Sequence, residues 1–144
     1  MPESNQKSNP NRATLLKYAV NILSRRPYFF GQLKKKIQER AKKQELENYS
    51  DDISSILEDL REGGYLNDSY LAEAYVRRCL SRSQGPNIIK YKLGQLGLSS
   101  SQISEALSSE ESQKAISEAK SKIADKLKGQ EEYKVRHKLY QRGF

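Results

Sequence analysis

One apolar stripe, written three times, limits what this chain can become. Leu15, Ala19 and Leu23 stand at i, i+4 and i+8; a shift of 57 lands on Ala72, Val76 and Leu80, and a further 47 on Ala119, Ile123 and Leu127. That spacing puts each trio on one face of an α-helix. A second stripe follows each first one. Leu33 and Ile37 are matched by Ile89 and Leu93 at a shift of 56, then by Val135 and Leu139 at 46. A third pattern, Ile53, Ile56, Leu57 and Leu60, returns at a shift of 50 as Ile103, Ala106 and Leu107. No segment alternates like a strand. The pattern predicts an all-α fold, an elongated and curved array of tandem three-helix repeats, two complete and the third partial. The competing reading is one compact bundle whose stripes agree because amphipathic helices resemble one another.

Boundaries follow from the punctuation. We expect a flexible polar tail over 1–13, repeat 1 over 14–64, repeat 2 over 65–108 and a two-helix partial repeat over 109–144. Gly63-Gly64 supplies the left-handed backbone that ends a helix, and Gly97 and Gly143 sit where later helices should stop. Asp68 is placed to cap the helix after it, and Pro86 after Gly85 opens another. Ser99 with Gln102 forms a capping box, and Asp51-Asp52 and Glu110-Glu111 put anions at helix starts. Loops are short except between about Arg40 and Tyr49. A third helix is expected after Phe144, so either the last unit is short or the chain has been cut.

The composition suits a thin core. Of 144 residues, 35% are hydrophobic and 31% charged, which fits an extended helical protein better than a compact α/β enzyme. No apolar run is long enough to span a membrane, and the polar start lacks the apolar centre of a secretory signal. The single cysteine, Cys79, excludes an internal disulfide; a cytoplasmic monomer is the expectation. The net charge of +8 is laid down in blocks: +7 over 1–49, −5 over 50–68, +4 over 69–98, −3 over 99–118 and +5 over 119–144. First and second helices are basic and third helices acidic. Stacked in register, such units give one basic edge and one acidic edge.

Catalytic chemistry is missing. His137, the one histidine, lies on a basic helix, and Cys79 falls on an apolar stripe as a core residue would. No cysteine–histidine set can build a zinc site, and Gly63-Gly64 lacks the lysine and hydroxyl residue of a phosphate loop. Neither an enzyme, a metal nor a cofactor is expected. The recurrent feature is basic: Arg77, Arg78, Arg82, Lys90 and Lys92 in the second unit, then Lys134, Arg136, Lys138 and Arg142 in the third. These fit DNA phosphates or acidic protein surface, with affinity falling as salt rises, or they are a solvated face. The Lys34-Lys35-Lys36 run carries the same ambiguity. Tyr28, Tyr91 and Tyr140 near these patches are placed to stack on bases, to fill interface pockets or to pack.

Three segments resemble the RecX family of bacterial RecA regulators: Gly64 through Arg78, Gly85-Pro86-Asn87 through Leu98, and the closing Lys138-Leu139-Tyr140-Gln141-Arg142-Gly143-Phe144. Their order and spacing follow that family from about Leu15 to the end, with a longer loop between the second and third helices of the first unit. The resemblance implies tandem three-helix units and a negative modulator that binds the groove of the RecA filament on single-stranded DNA. It implies restraint of filament extension, ATP hydrolysis and strand exchange. Two other readings are a helical module that binds DNA directly without RecA, and a structural adaptor using tyrosine-rich edges.

Overall fold

The computed structural model describes residues 10–144, and all of its regular structure is helical. In order these are α1 (Pro10–Leu23), α2 (Phe30–Lys43), α3 (Ser50–Glu62), α4 (Asp68–Ser81), α5 (Pro86–Gln95), α6 (Ser100–Ser108), α7 (Glu110–Lys126) and α8 (Glu132–Gln141). The fold class is all-α, as the stripes require. Contacts divide the chain into two compact units, residues 1–68 and 69–144. The three-repeat division read from the sequence remains a proposal.

In unit 1 each of α1, α2 and α3 packs on the other two. Leu15 and Ala19 of α1, Leu33, Ile37 and Ala41 of α2, and Ile53, Ile56 and Leu57 of α3 close one core. Each fully buried leucine or isoleucine contributes about 1.5–3 kcal/mol relative to exposure. Tyr28, for which the sequence left stacking, interface and packing roles open, is buried in this core with the Arg26 guanidinium 4.3 Å from its ring centre. Arg40 lies over Tyr18 and Arg61 over Phe30, so Arg26 and Arg40 of the basic block, and Arg61 of the acidic one, cover aromatic surface.

The tail expected over 1–13 gives way to helix at Pro10; residues 1–9 lie outside the described residues. The reason is Arg12, which is buried. Its Nε donates to Ser55 Oγ at 3.2 Å, and its Nη2 pairs with Asp59 Oδ2, tying the first turn of α1 to α3. Asp52 is also buried in α3; desolvation raises its pKa, with Arg12 pulling it back down and Asp51 pushing it further up. A raised folded pKa means that Asp52 favours folding when protonated and loses that contribution as pH rises through the folded value. The Asp52→Asn variant, neutral throughout, is therefore expected to gain most over the wild type at pH 7. Urea titrations at falling pH should show the gap narrowing; a gap that widens in acid contradicts this placement.

Asp68 does not act as the sequence suggested. It begins α4, and its Oδ1 accepts the backbone N–H of Phe30, 2.8 Å away at the start of α2. Phe29, the residue before that helix, has no side-chain acceptor, so the free N–H groups of the first turn take oxygens from elsewhere. Gln32 Oε1 accepts another, from Phe29 itself.

Helix stops share one geometry. At Gly64, Gly97 and Gly143 the chain turns with φ between +80° and +92°. In each case the next residue's N–H reaches back to the carbonyl four residues before the glycine: Tyr65 to Leu60, Leu98 to Leu93, Phe144 to Leu139. Glu45 and Ser83 make the same stop with φ of 54° and 62° despite carrying a Cβ. Glu45→Gly is expected to raise unit 1 stability by about 0.5–1 kcal/mol, the strain of a side chain in that region outweighing glycine's unfolded-state entropy. Chemical denaturation measures it, and a loss of stability would refute it.

Unit 2 packs in sequence, α5 on α6, α6 on α7 and α7 on α8. Gly85 precedes α5 with Pro86 in its first turn, and Ser99 and Gln102 form the reciprocal caps of α6. Ser109 accepts the Ser112 N–H ahead of Glu110-Glu111 in α7. Burial of the repeated stripe thins along the chain. Ala72, Val76 and Leu80 are buried, whereas of Ala119, Ile123 and Leu127 only Ile123 is.

Candidate partner-binding surface

The site is organised by a backbone joint between residue pairs that lie 57 and 56 positions apart in the chain. Gly85 N–H donates to the Arg142 carbonyl at 2.6 Å, and Asn87 N–H donates to the Gly143 carbonyl at 3.0 Å. A free donor of the first turn of α5, the Asn87 N–H, and the N–H of the preceding Gly85 are thus satisfied by these two carbonyls. Contact this close needs glycine on both sides. A Cβ at Gly85 would stand 2.5 Å from the Gly143 carbonyl carbon, and one at Gly143 would stand 2.9 Å from Ile88 Cγ1. Gly85-Pro86-Asn87 and Arg142-Gly143-Phe144, read separately in the sequence, form one structure.

The recurrent basic residues of unit 2 lie on α4, α5 and α8 and in the turns after α4 and α8. Arg77, Arg78 and Arg82 are exposed at the C-terminal end of α4 and in the turn after it. Lys90 is exposed on α5, but Lys92 is half-buried and its Nζ donates to Gln84 Oε1 at 2.8 Å. Lys92 therefore braces the turn before Gly85 as well as carrying charge. On α8 the spacing i, i+4, i+8 runs Lys134, Lys138 and Arg142 along one flank. Arg136 lies on a different side of the helix, nearer the face shared by Tyr133 and Tyr140. Tyr91 and Tyr140 are 69% and 73% exposed, which leaves both rings open to a partner.

Lys138 and Arg142 meet a third cation that the sequence reading did not single out. Together with Lys126 they line a cavity of about 360 Å³ bounded by Ser83, Ile123, Leu127 and Gln141. Lys126 lies in the last turn of α7, 12 residues before Lys138, and only the packing of α7 on α8 joins them. His137 is exposed and Cys79 is buried. Tyr75 is half-buried beside Cys79, and that burial, then the thiol, raises its pKa, with Arg78 and Arg82 opposing. Among the described residues no group of three or more His, Cys, Asp or Glu is arranged to hold a metal ion, and no helix is long and apolar enough to cross a membrane.

Comparison with known proteins bears on the domain and the fold. A family model, RecX, second three-helix domain, matches residues 67–107. The chain is 35% identical over 92 residues to the regulatory protein RecX of Chromohalobacter salexigens, covering 64% of this chain and 57% of that one. It is 33% identical over 110 residues to the regulatory protein RecX of Photobacterium profundum, covering 73% of this chain and 39% of that one. This chain thus spans roughly two fifths to three fifths of the length of these relatives. A crystal structure of RecX from Lactobacillus salivarius superimposes with a TM-score of 0.75 at 23% identity, covering 93% of this chain and 88% of that one, a likeness of fold. A second crystal structure, of a regulatory protein RecX, gives a TM-score of 0.71 at 26% identity over 93% of this chain and 67% of that one. In its matched domain, its relatives and its fold, the chain is similar to the RecX family.

Proposed function

We propose that this chain is a negative regulator of the RecA recombinase. In this reading it is a non-enzymatic cytoplasmic monomer that binds in the groove of the RecA–single-stranded DNA filament. There it restrains filament extension, ATP hydrolysis and strand exchange. The observation that carries the reading is the Gly85–Gly143 joint: two of the three segments that carry the family resemblance meet there, and exposed cations stand on α4, α5 and α8 of the same unit. Arg77, Arg78, Arg82, Lys90, Lys134, Arg136, Lys138 and Arg142 are the proposed contacts to RecA or DNA backbone, with Lys92 in a bracing role and Tyr91 and Tyr140 as interface aromatics.

Co-sedimentation tests this. The chain should pellet with RecA filaments assembled on poly(dT) and much less with poly(dT) alone, and the retained fraction should fall with salt. A second reading, direct DNA binding without RecA, draws on Tyr133 and Tyr140 standing exposed among the cations of α8. Equal retention on bare poly(dT) would select it.

A further inference from the structure

The half-exposed stripe of α7 floors a groove. Ala115, Ala119, Ile123 and Leu127 follow one another at four-residue spacing; the first three line a cavity of about 410 Å³ together with Leu80 of α4, and Leu127 lines the cavity beyond it. This cavity shares Ser83, Ile123 and Lys126 with the 360 Å³ cavity beyond it, so the two form one continuous trough within unit 2. Its two ends differ in charge. Lys126, Lys138 and Arg142 line one end with no carboxylate among them, while Glu118 and Asp125 offset Lys122 and Lys126 at the other.

We propose that this trough docks an acidic, aliphatic peptide segment of a protein partner, with its carboxylates at the Lys126–Lys138–Arg142 end. The charge complementarity is one-sided and therefore directional: a carboxylate meets three cations at one end and its own charge at the other. The aliphatic floor selects the class of occupant. Leucine- or isoleucine-like side chains gain from covering the half-exposed Ala119 and Leu127, as in helix-in-groove complexes, and a sugar-phosphate backbone has no such group to offer. The proposal rests on the regulatory reading above only in taking the partner to be a protein.

The test is fluorescence anisotropy of the full chain with a labelled 16-residue amphipathic peptide bearing leucine and glutamate at helical spacing. Binding should be about tenfold weaker for the same peptide with glutamine in place of glutamate, the loss expected when rim and end charges go unpaired. The combined variant Lys126→Glu, Lys138→Glu, Arg142→Glu, and separately Ala119→Gln, which fills the floor, should each cost a similar factor with circular dichroism unchanged. Unaltered affinity in the charge-reversed variant would overturn the proposal. So would displacement of the peptide by a (dT)20 oligonucleotide at comparable concentration, or sedimentation showing that a second copy of the chain covers the trough. The regulatory reading is scored apart, on RecA ATP hydrolysis. Inhibition by a wild type that ignores the acidic peptide sinks the trough proposal alone, and peptide binding without inhibition sinks the regulatory reading alone.

Discussion

Gly85→Ala is expected to destabilise unit 2 by roughly 2–4 kcal/mol, the range in which overpacking against rigid neighbours joins the loss of buried hydrogen bonds. The added methyl would lie 2.5 Å from the Gly143 carbonyl carbon and 2.7 Å from both its oxygen and the Phe144 ring. Backbone cannot swing away as a long side chain does. The joint must open, and the bonds from Gly85 N–H to Arg142 and from Asn87 N–H to Gly143 are lost with it. Gly143→Ala meets a clash with Ile88 and the further strain of a side chain at φ +89°. Gly94→Ala is the internal control, because a methyl there meets nothing within 4 Å inside α5. It is expected to raise stability by a few tenths of a kcal/mol, up to about 1, from helix propensity alone. Urea denaturation of the three variants settles the matter; three equal effects would mean that the joint does not hold unit 2 together.

The second large effect concerns binding. Reversing Arg77 and Arg78 together to glutamate should weaken inhibition of RecA by about tenfold or more and flatten its salt dependence, because two exposed attractions become repulsions. Both side chains project from the end of α4 into solvent, so helicity and melting should hold. Lys92 is left in place because its ammonium braces Gln84, and replacing it would mix a stability change with a binding change. The double variant assayed against RecA-coated single-stranded DNA reads the loss directly, and full inhibition would remove Arg77 and Arg78 from the contact surface.

Local signals in the sequence translated well into structure. The capping box at Ser99 and Gln102, the proline start at Pro86 and the glycine stops at Gly64, Gly97 and Gly143 each depend on residues within a few positions of one another. Apolar spacing likewise located each helix among the described residues. What escaped was long-range or chemically disguised. Arg12 reads as tail until α3 brings Ser55 and Asp59 to it, 43 and 47 residues away. Asp68 has the ordinary look of a cap for its own helix, yet serves a helix start 38 residues earlier. The stops at Glu45 and Ser83 carry no glycine and so leave no mark. In the candidate site, the exposure of Arg77 and Arg78 agrees with their place off the stripe of Ala72, Val76 and Leu80, but the contribution of Lys126 depends on how α7 meets α8. The meeting of Gly85 with Gly143 was equally hidden, because each glycine explains itself locally as a helix boundary.

The measurement that bears most directly on the central claim is DNA-dependent ATP hydrolysis by RecA on single-stranded DNA, titrated with this protein at two salt concentrations. A RecA regulator predicts inhibition well below one protein per RecA subunit, weaker at the higher salt. Unchanged hydrolysis, at concentrations where the protein binds the bare DNA, would contradict it.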